Sequence, residues 1–146
     1  MLERFKIPDK DIVMVREGPL RRTAAAIFEK MGESPESARQ GADVLVAADL
    51  RGVDSHGGSN QLRVYVEQYN SGHLNPRPNV RIVRESPSTA SIDSDGSLGI
   101  ITTPKAMELA ISKAKETGIG MVTIANGRHL GMAAYHAMLA LKHDMI

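Results

Sequence analysis

At Gly72 the hydrophobic period of this chain changes, and few folds accommodate both sides of the change. Before it, apolar residues recur every three or four positions. After the Pro-rich connector Gly72-His73-Leu74-Asn75-Pro76-Arg77-Pro78-Asn79, short β-branched runs flank one long helical pattern. A bundle leaves the second part unexplained. The reading is therefore α/β with α+β character. A mainly helical segment occupies residues 1–75, and residues 76–146 begin an α/β domain that looks incomplete.

The helical segment carries its own punctuation. Pro19 suits a first helical turn, and Leu20, Ala24, Ile27, Phe28 and Met31 follow at helical spacing to Gly32, which predicts a helix over 19–31. Ser34-Pro35-Glu36 combines a cap, a Pro at the first helical position and an acid in the first turn. From there Ala38, Ala42, Leu45, Val46 and Asp49 share a face up to Gly52. A third helix is expected from Gly58 to Ser71, with Leu62, Tyr65, Val66 and Tyr69 as a packing stripe. Ahead of all three, Ile12, Val13 and Val15 suggest a short edge strand or an extended arm.

Beyond the connector, Val80-Ile82-Val83 and Thr89–Ile92 read as two strands around Pro87, with Asp95-Gly96 as a turn. Thr102-Thr103-Pro104 is the expected start of a helix that Gly118 ends. Met121–Ala125 is a short strand of buried type, and Met132 to Met145 is helical by composition.

Composition excludes several classes. Eighteen Lys and Arg against 17 Asp and Glu leave a net charge of +1, and aromatic content is 3%, so neither a nucleic acid nor an anionic membrane surface is an expected partner. The absence of Cys removes disulfides, thiolate metal sites and a Cys nucleophile, and fits the cytoplasm. The first ten residues hold no apolar run of signal-peptide type, and no apolar run reaches spanning length. Five histidines are present without His-x-x-x-His or His-Glu-x-x-His, and no metal site is expected.

Two loops carry the chemistry. In Leu50-Arg51-Gly52-Val53-Asp54-Ser55-His56-Gly57-Gly58, Arg51 is suited to an anion, His56 to proton transfer, and Asp54 or Ser55 to capping the next helix. The plainer alternative is a helix stop, a turn and a capped helix start. Asn126-Gly127-Arg128-His129-Leu130-Gly131 joins the last strand to the last helix, the position where open α/β sheets gather ligands, although neither a Rossmann glycine fingerprint nor a P-loop is present.

Taken jointly, Ala48–Gly57 and Asn126–Gly131 with Tyr135 resemble the type 2 malate/L-lactate dehydrogenase family, which includes sulfolactate, ureidoglycolate and diketogulonate oxidoreductases. Tyr65-Val66-Glu67, Ser71-Gly72, Asn75-Pro76, Asp95-Gly96 and Gly118-Ile119-Gly120 fall in similar order, and the likeness runs over residues 18–146. It implies an NAD- or NADP-dependent oxidoreductase acting on a 2-hydroxy or 2-keto acid. The fold it implies is a non-Rossmann, mixed-sheet dinucleotide-binding domain, in a homodimer with active sites near the interface. By that match His56 is the acid/base and Ser55 orients it, while Arg51, Asn60 and Arg63 fall on the substrate side. His129, Gly131, Asn126 and Tyr135 fall on the cofactor side. The sequence departs from the family at Asn60, where an Arg is common, so Arg63 is the expected replacement, and at Gly127 and Leu130. Family segments after residue 146, which supply an Asp partner and much of the pocket, have no counterpart here. The alternative is a silent or split subunit that works only with a second chain or a full-length relative; a metal-dependent hydrolase using His56, His129 and Asp54 ranks last.

Overall fold

The computed structural model describes residues 8–146; the first seven lie outside it. Three helices come first: α1 (Glu17–Lys30), α2 (Pro35–Leu50) and α3 (Gly58–Asn70). Then follow β1 (Arg81–Glu85), β2 (Thr89–Asp93), α4 (Gly99–Thr117), β3 (Met121–Ala125) and α5 (Ala133–Met138). The three strands form one mixed sheet in the order β1-β2-β3, with β1 antiparallel and β3 parallel to β2. The architecture is mixed α/β, and β2-α4-β3 is its crossover unit.

The expected caps hold α2: the Ser34 hydroxyl accepts from the Ser37 amide at 3.1 Å and Pro35 opens the first turn. Gly118, at φ 82°, ends α4 in the left-handed conformation. One hydrophobic cluster joins Phe28 of α1, Val44 and Leu45 of α2, and Tyr65 and Tyr69 of α3 to Leu98, Ile100 and Ile101 at the start of α4. Phe28 is fully buried and packs on both tyrosine rings, at centroid distances of 6.4 and 6.5 Å. The change from helices to sheet falls at the connector after residue 75, but the core runs straight across it.

One open alternative is decided, for the arm rather than the strand, and two sequence expectations are corrected. Ile12, Val13 and Val15 form no strand; after a 3₁₀ turn at Asp9–Asp11 the chain is irregular, and all three side chains are exposed. Helix α4 starts at Gly99 rather than near Thr102. Burial of Leu98, Ile100, Ile101 and Thr102 in the shared core favours the extra turn, and Pro104 is carried inside the helix. The last helix is not continuous to Met145. α5 ends at Met138, and a 3₁₀ turn at Leu141–His143 follows, with i→i+3 bonds such as His143 N–H to Ala140 O at 2.9 Å. Leu141 is exposed, so continuing the α-helix would bury little there.

Candidate active site

α2 ends at Leu50, and after Gly52, at φ 66°, the chain makes a 3₁₀ turn over Asp54–His56 before entering α3. Side chains from the first turn of α3 reach back to fix it. The Asn60 amide donates to the Asp54 carbonyl and the Gln61 amide to the Ser55 carbonyl, both at 2.7 Å. Asp54 and Ser55 do not cap α3, contrary to expectation; Gly57 is the N-cap, with no side-chain bond of its own. The carboxylate of Asp49 on α2 takes over, accepting the Gly58 amide at 3.0 Å. Asp49 lies so close that a Cβ on Gly57 would fall 1.7 Å from its Oδ1, so a side chain there would have to displace the carboxylate that holds the Gly58 amide. Burial raises the Asp49 pKa, the Gly58 amide opposes that, and the neighbouring Asp54 charge adds to it.

The second loop leaves the C-terminal end of β3 and is tied down along its length. Asn126 sits at φ 54°, a region asparagine tolerates, and its amide donates to Asp93 Oδ1 at 3.0 Å. The Arg128 amide donates to Ser97 O and its guanidinium Nε to His73 O, each at 3.1 Å. His136 of α5, buried, donates Nε2–H to the Leu130 carbonyl at 2.7 Å. Gly131 is at φ 76°, and a Cβ there would lie 2.7 Å from Ile100 Cγ2.

Gly99 lets α4 meet this loop. A Cβ at Gly99 would stand 2.4 Å from the Arg128 carbonyl oxygen and 2.8 Å from that of His129. These are backbone atoms, so the loop itself would have to move. Alanine normally gains under about 1 kcal/mol over glycine inside a helix, whereas overpacking costs about 1–3 kcal/mol. Gly99→Ala is therefore expected to lower stability by about 1–2 kcal/mol in urea unfolding; a stabilised variant would contradict the close approach.

The two loops bring His56 and His129 together. Their rings stack with centroids 5.3 Å apart and planes at 28°. Ser55 Oγ lies 2.8 Å from His56 Nδ1, and the Tyr65 hydroxyl of α3 lies 2.7 Å from His129 Nδ1. His129 is exposed as a residue, yet its ring packs against His56 and Tyr65. That packing, and next the adjacent His56 imidazole, holds its pKa below the ordinary histidine value.

The other candidate residues lie around this pair or apart from it. Arg51 is exposed at the C-cap of α2. The Arg63 side chain is 85% exposed and lies 3.4 Å from Glu67. The Tyr135 hydroxyl is committed to Asp43, itself paired with Arg21, and also accepts from Gln40 at 3.1 Å, so it ties α5 to α2. Burial and the Asp43 bond push its pKa up to about 12. Sequence reasoning placed Asp49 and Tyr65 on packing faces and gave them no part in the site. A carboxylate on the otherwise apolar face of α2 was the available signal for Asp49.

His136 offers a separate test. Among the described residues its Nδ1 is buried without a partner, and burial lowers its pKa despite the Leu130 carbonyl. In the unfolded chain this histidine binds a proton near pH 6.5, while the folded one resists until lower pH. Stability is then lost as pH falls from above the unfolded value towards the folded one. Urea midpoints should drop as pH falls through and below the ordinary histidine value of about 6.5, and His136→Gln should flatten that slope. An unchanged slope would remove His136 from the effect.

Several known proteins are similar to this chain in sequence and fold. The L-sulfolactate dehydrogenase of Methanocaldococcus jannaschii is 46% identical over 120 residues, covering 82% of this chain and 35% of that protein. The malate dehydrogenase of Pyrococcus horikoshii is 43% identical over 138 residues, 94% of this chain and 38% of that one. A solved structure of the P. horikoshii enzyme superposes with a TM-score of 0.89 at 41% identity, over 94% of this chain and 39% of the other. The chain thus spans little more than a third of the length of these relatives. A model of the malate/L-lactate dehydrogenase family matches residues 15–146. With that match joined to the shared fold, the chain belongs to the malate/L-lactate dehydrogenase family.

Proposed function

We propose that this chain supplies the proton-handling part of an NAD(P)-dependent oxidoreductase acting on a 2-hydroxy or 2-keto acid. The observation that carries the reading is the His56–His129 pair, two imidazoles 5.3 Å apart, each anchored through Nδ1 by a neighbouring hydroxyl. With Nδ1 occupied by Ser55, His56 has Nε2 left for a substrate oxygen. It takes the hydroxyl proton in oxidation and returns it in reduction, which an imidazole does in both directions near neutral pH. Ser55 keeps the ring oriented.

The residues present fit a nicotinamide. The Asn126–Gly131 loop lies at the C-terminal end of β3, and His129 on it is an exposed residue whose imidazole burial disposes to be neutral. Bound there, nicotinamide supplies or accepts the hydride. His129 is the residue of this chain that would lie against it, whereas Gly131, expected there too, is buried against Ile100 and Val44 and shapes the loop from behind. Asn126 and Tyr135 act behind them, Asn126 by fixing the loop through Asp93 and Tyr135 by anchoring α5 through Asp43. Arg51, exposed at the end of α2, and Arg63, exposed on α3, are the cations offered to the substrate carboxylate; Asn60 supports the His56 turn.

A further segment or a second subunit completes the site. A groove of about 510 Å³ beside the His56 turn is lined by Val13, Met14, Leu45, Val46 and Leu62, and it borders Asp49, Asp54 and Gly58. A homodimer partner or a chain carrying the remaining family segments covers it in this reading.

Oxidation of NADH or NADPH by the keto acids corresponding to lactate, malate and sulfolactate is the direct assay. It is run on the chain alone and with a chain carrying those segments. Turnover of at least one keto acid is expected, and none in either format would contradict the reading.

A further inference from the structure

Tyr65 belongs to the core of α3, 1% exposed and packed on Phe28, yet its hydroxyl points to the site and lies 2.7 Å from His129 Nδ1. We propose that Tyr65 is a positioning residue that fixes the tautomer of His129, so that His129 presents Nε2–H as a neutral donor to a carbonyl oxygen of the bound ligand. The ligand half of this proposal rests on the oxidoreductase reading above; the tautomer half does not.

The direction of the bond follows from satisfaction of buried groups. His129 Nδ1 is the partner of the Tyr65 hydroxyl among the described residues. If Nδ1 carried the proton, Tyr65 would accept it and its own hydroxyl hydrogen would be left buried without an acceptor, which native structures avoid. With Tyr65 donating, Nδ1 accepts and the imidazole proton resides on Nε2. Burial pushes the Tyr65 phenol pKa upward, so the hydroxyl keeps its proton. Protonating His129 would place a second hydrogen on Nδ1 against that donor, beside a His56 ring that must itself take a charge. The pair is thereby divided in role: His56 exchanges a proton, and His129 keeps one.

A neutral N–H suits a carbonyl, and two are on offer under the proposed function: the C2 oxygen of a 2-keto acid and the carboxamide of nicotinamide. The shared chemistry is an uncharged carbonyl acceptor.

The test is imidazole nitrogen NMR on the ¹⁵N-labelled chain, with His129 assigned through His129→Gln. The expected spectrum has His129 Nδ1 unprotonated and Nε2 protonated. Tyr65→Phe should shift the tautomer ratio towards Nδ1–H by about fivefold, the equivalent of one ordinary hydrogen bond. An Nδ1-protonated ring in the unmodified chain, or an unchanged ratio in Tyr65→Phe, overturns the proposal.

Titration with pyruvate alone and with NADH alone then identifies which carbonyl shifts Nε2. Tyr65→Phe should weaken that binding about fivefold but have no further effect in a His129→Gln background, where the glutamine amide keeps a donor near the Nε2 position. Equal weakening in both backgrounds would make Tyr65 merely structural. A wrong tautomer with intact NADH binding defeats the proposal alone. A correct tautomer with binding of neither probe, by the chain alone or with a chain carrying the remaining family segments, defeats the ligand half together with the oxidoreductase reading.

Discussion

His56→Ala should reduce turnover of a 2-keto acid by about 10²–10⁴-fold, the range a positioned acid/base contributes, while leaving folding and dinucleotide binding nearly intact. The structure separates these effects. His56 sits in a 3₁₀ turn held by Asn60 and Gln61 through backbone carbonyls, and by Asp49 through the Gly58 amide. None of those bonds uses the His56 side chain, whose Nδ1 faces Ser55. The variant should therefore keep its turn and lose its proton carrier. Steady-state rates with and without saturating dinucleotide, beside a circular dichroism spectrum, provide the check. Near-normal turnover would move the acid/base role elsewhere.

Phe28→Ala should have the largest effect on stability, about 3–5 kcal/mol, the usual loss for a buried phenylalanine whose cavity collapses incompletely. Phe28 is fully buried and lies in the one cluster that joins α1, α2 and α3 to the start of α4. Its loss should therefore be felt on both sides of residue 75. In a urea titration followed by tyrosine fluorescence and by far-ultraviolet dichroism, the two signals should fall together at a lower midpoint. Separate transitions, with the sheet unaffected, would show that the helical segment and the sheet segment fold independently.

The helices and strands were legible because each carries local chemistry that tertiary contacts reinforce. Ser34-Pro35 caps α2 as its side chains predict, Gly118 ends α4, and the strands flank Pro87 as their β-branched runs suggest. Family resemblance in the two loops identified His56 and His129 as a set; the sequence alone held them 73 positions apart (129 − 56) with no spacing rule to join them.

What stayed hidden depends on contacts between elements. Gly99–Ile101 became helical because the core accepts that extra turn, a preference no local propensity records. The arm at Ile12–Val15 has strand-like composition but joins no strand among the described residues, and Leu141, beyond α5, is exposed. Tyr65 occupies an ordinary position on a packing stripe. Only the third dimension shows its hydroxyl emerging against His129.

Binding of a nicotinamide dinucleotide at the His56–His129 site decides the function. The direct measurement is a fluorescence titration of this chain with NADH and NADPH, with and without pyruvate or oxaloacetate. Saturable binding of at least one dinucleotide is expected, retained in His56→Ala and weakened in His129→Ala. Binding of neither dinucleotide by the folded chain, whether alone or joined by a chain carrying the remaining family segments, would contradict the proposed function.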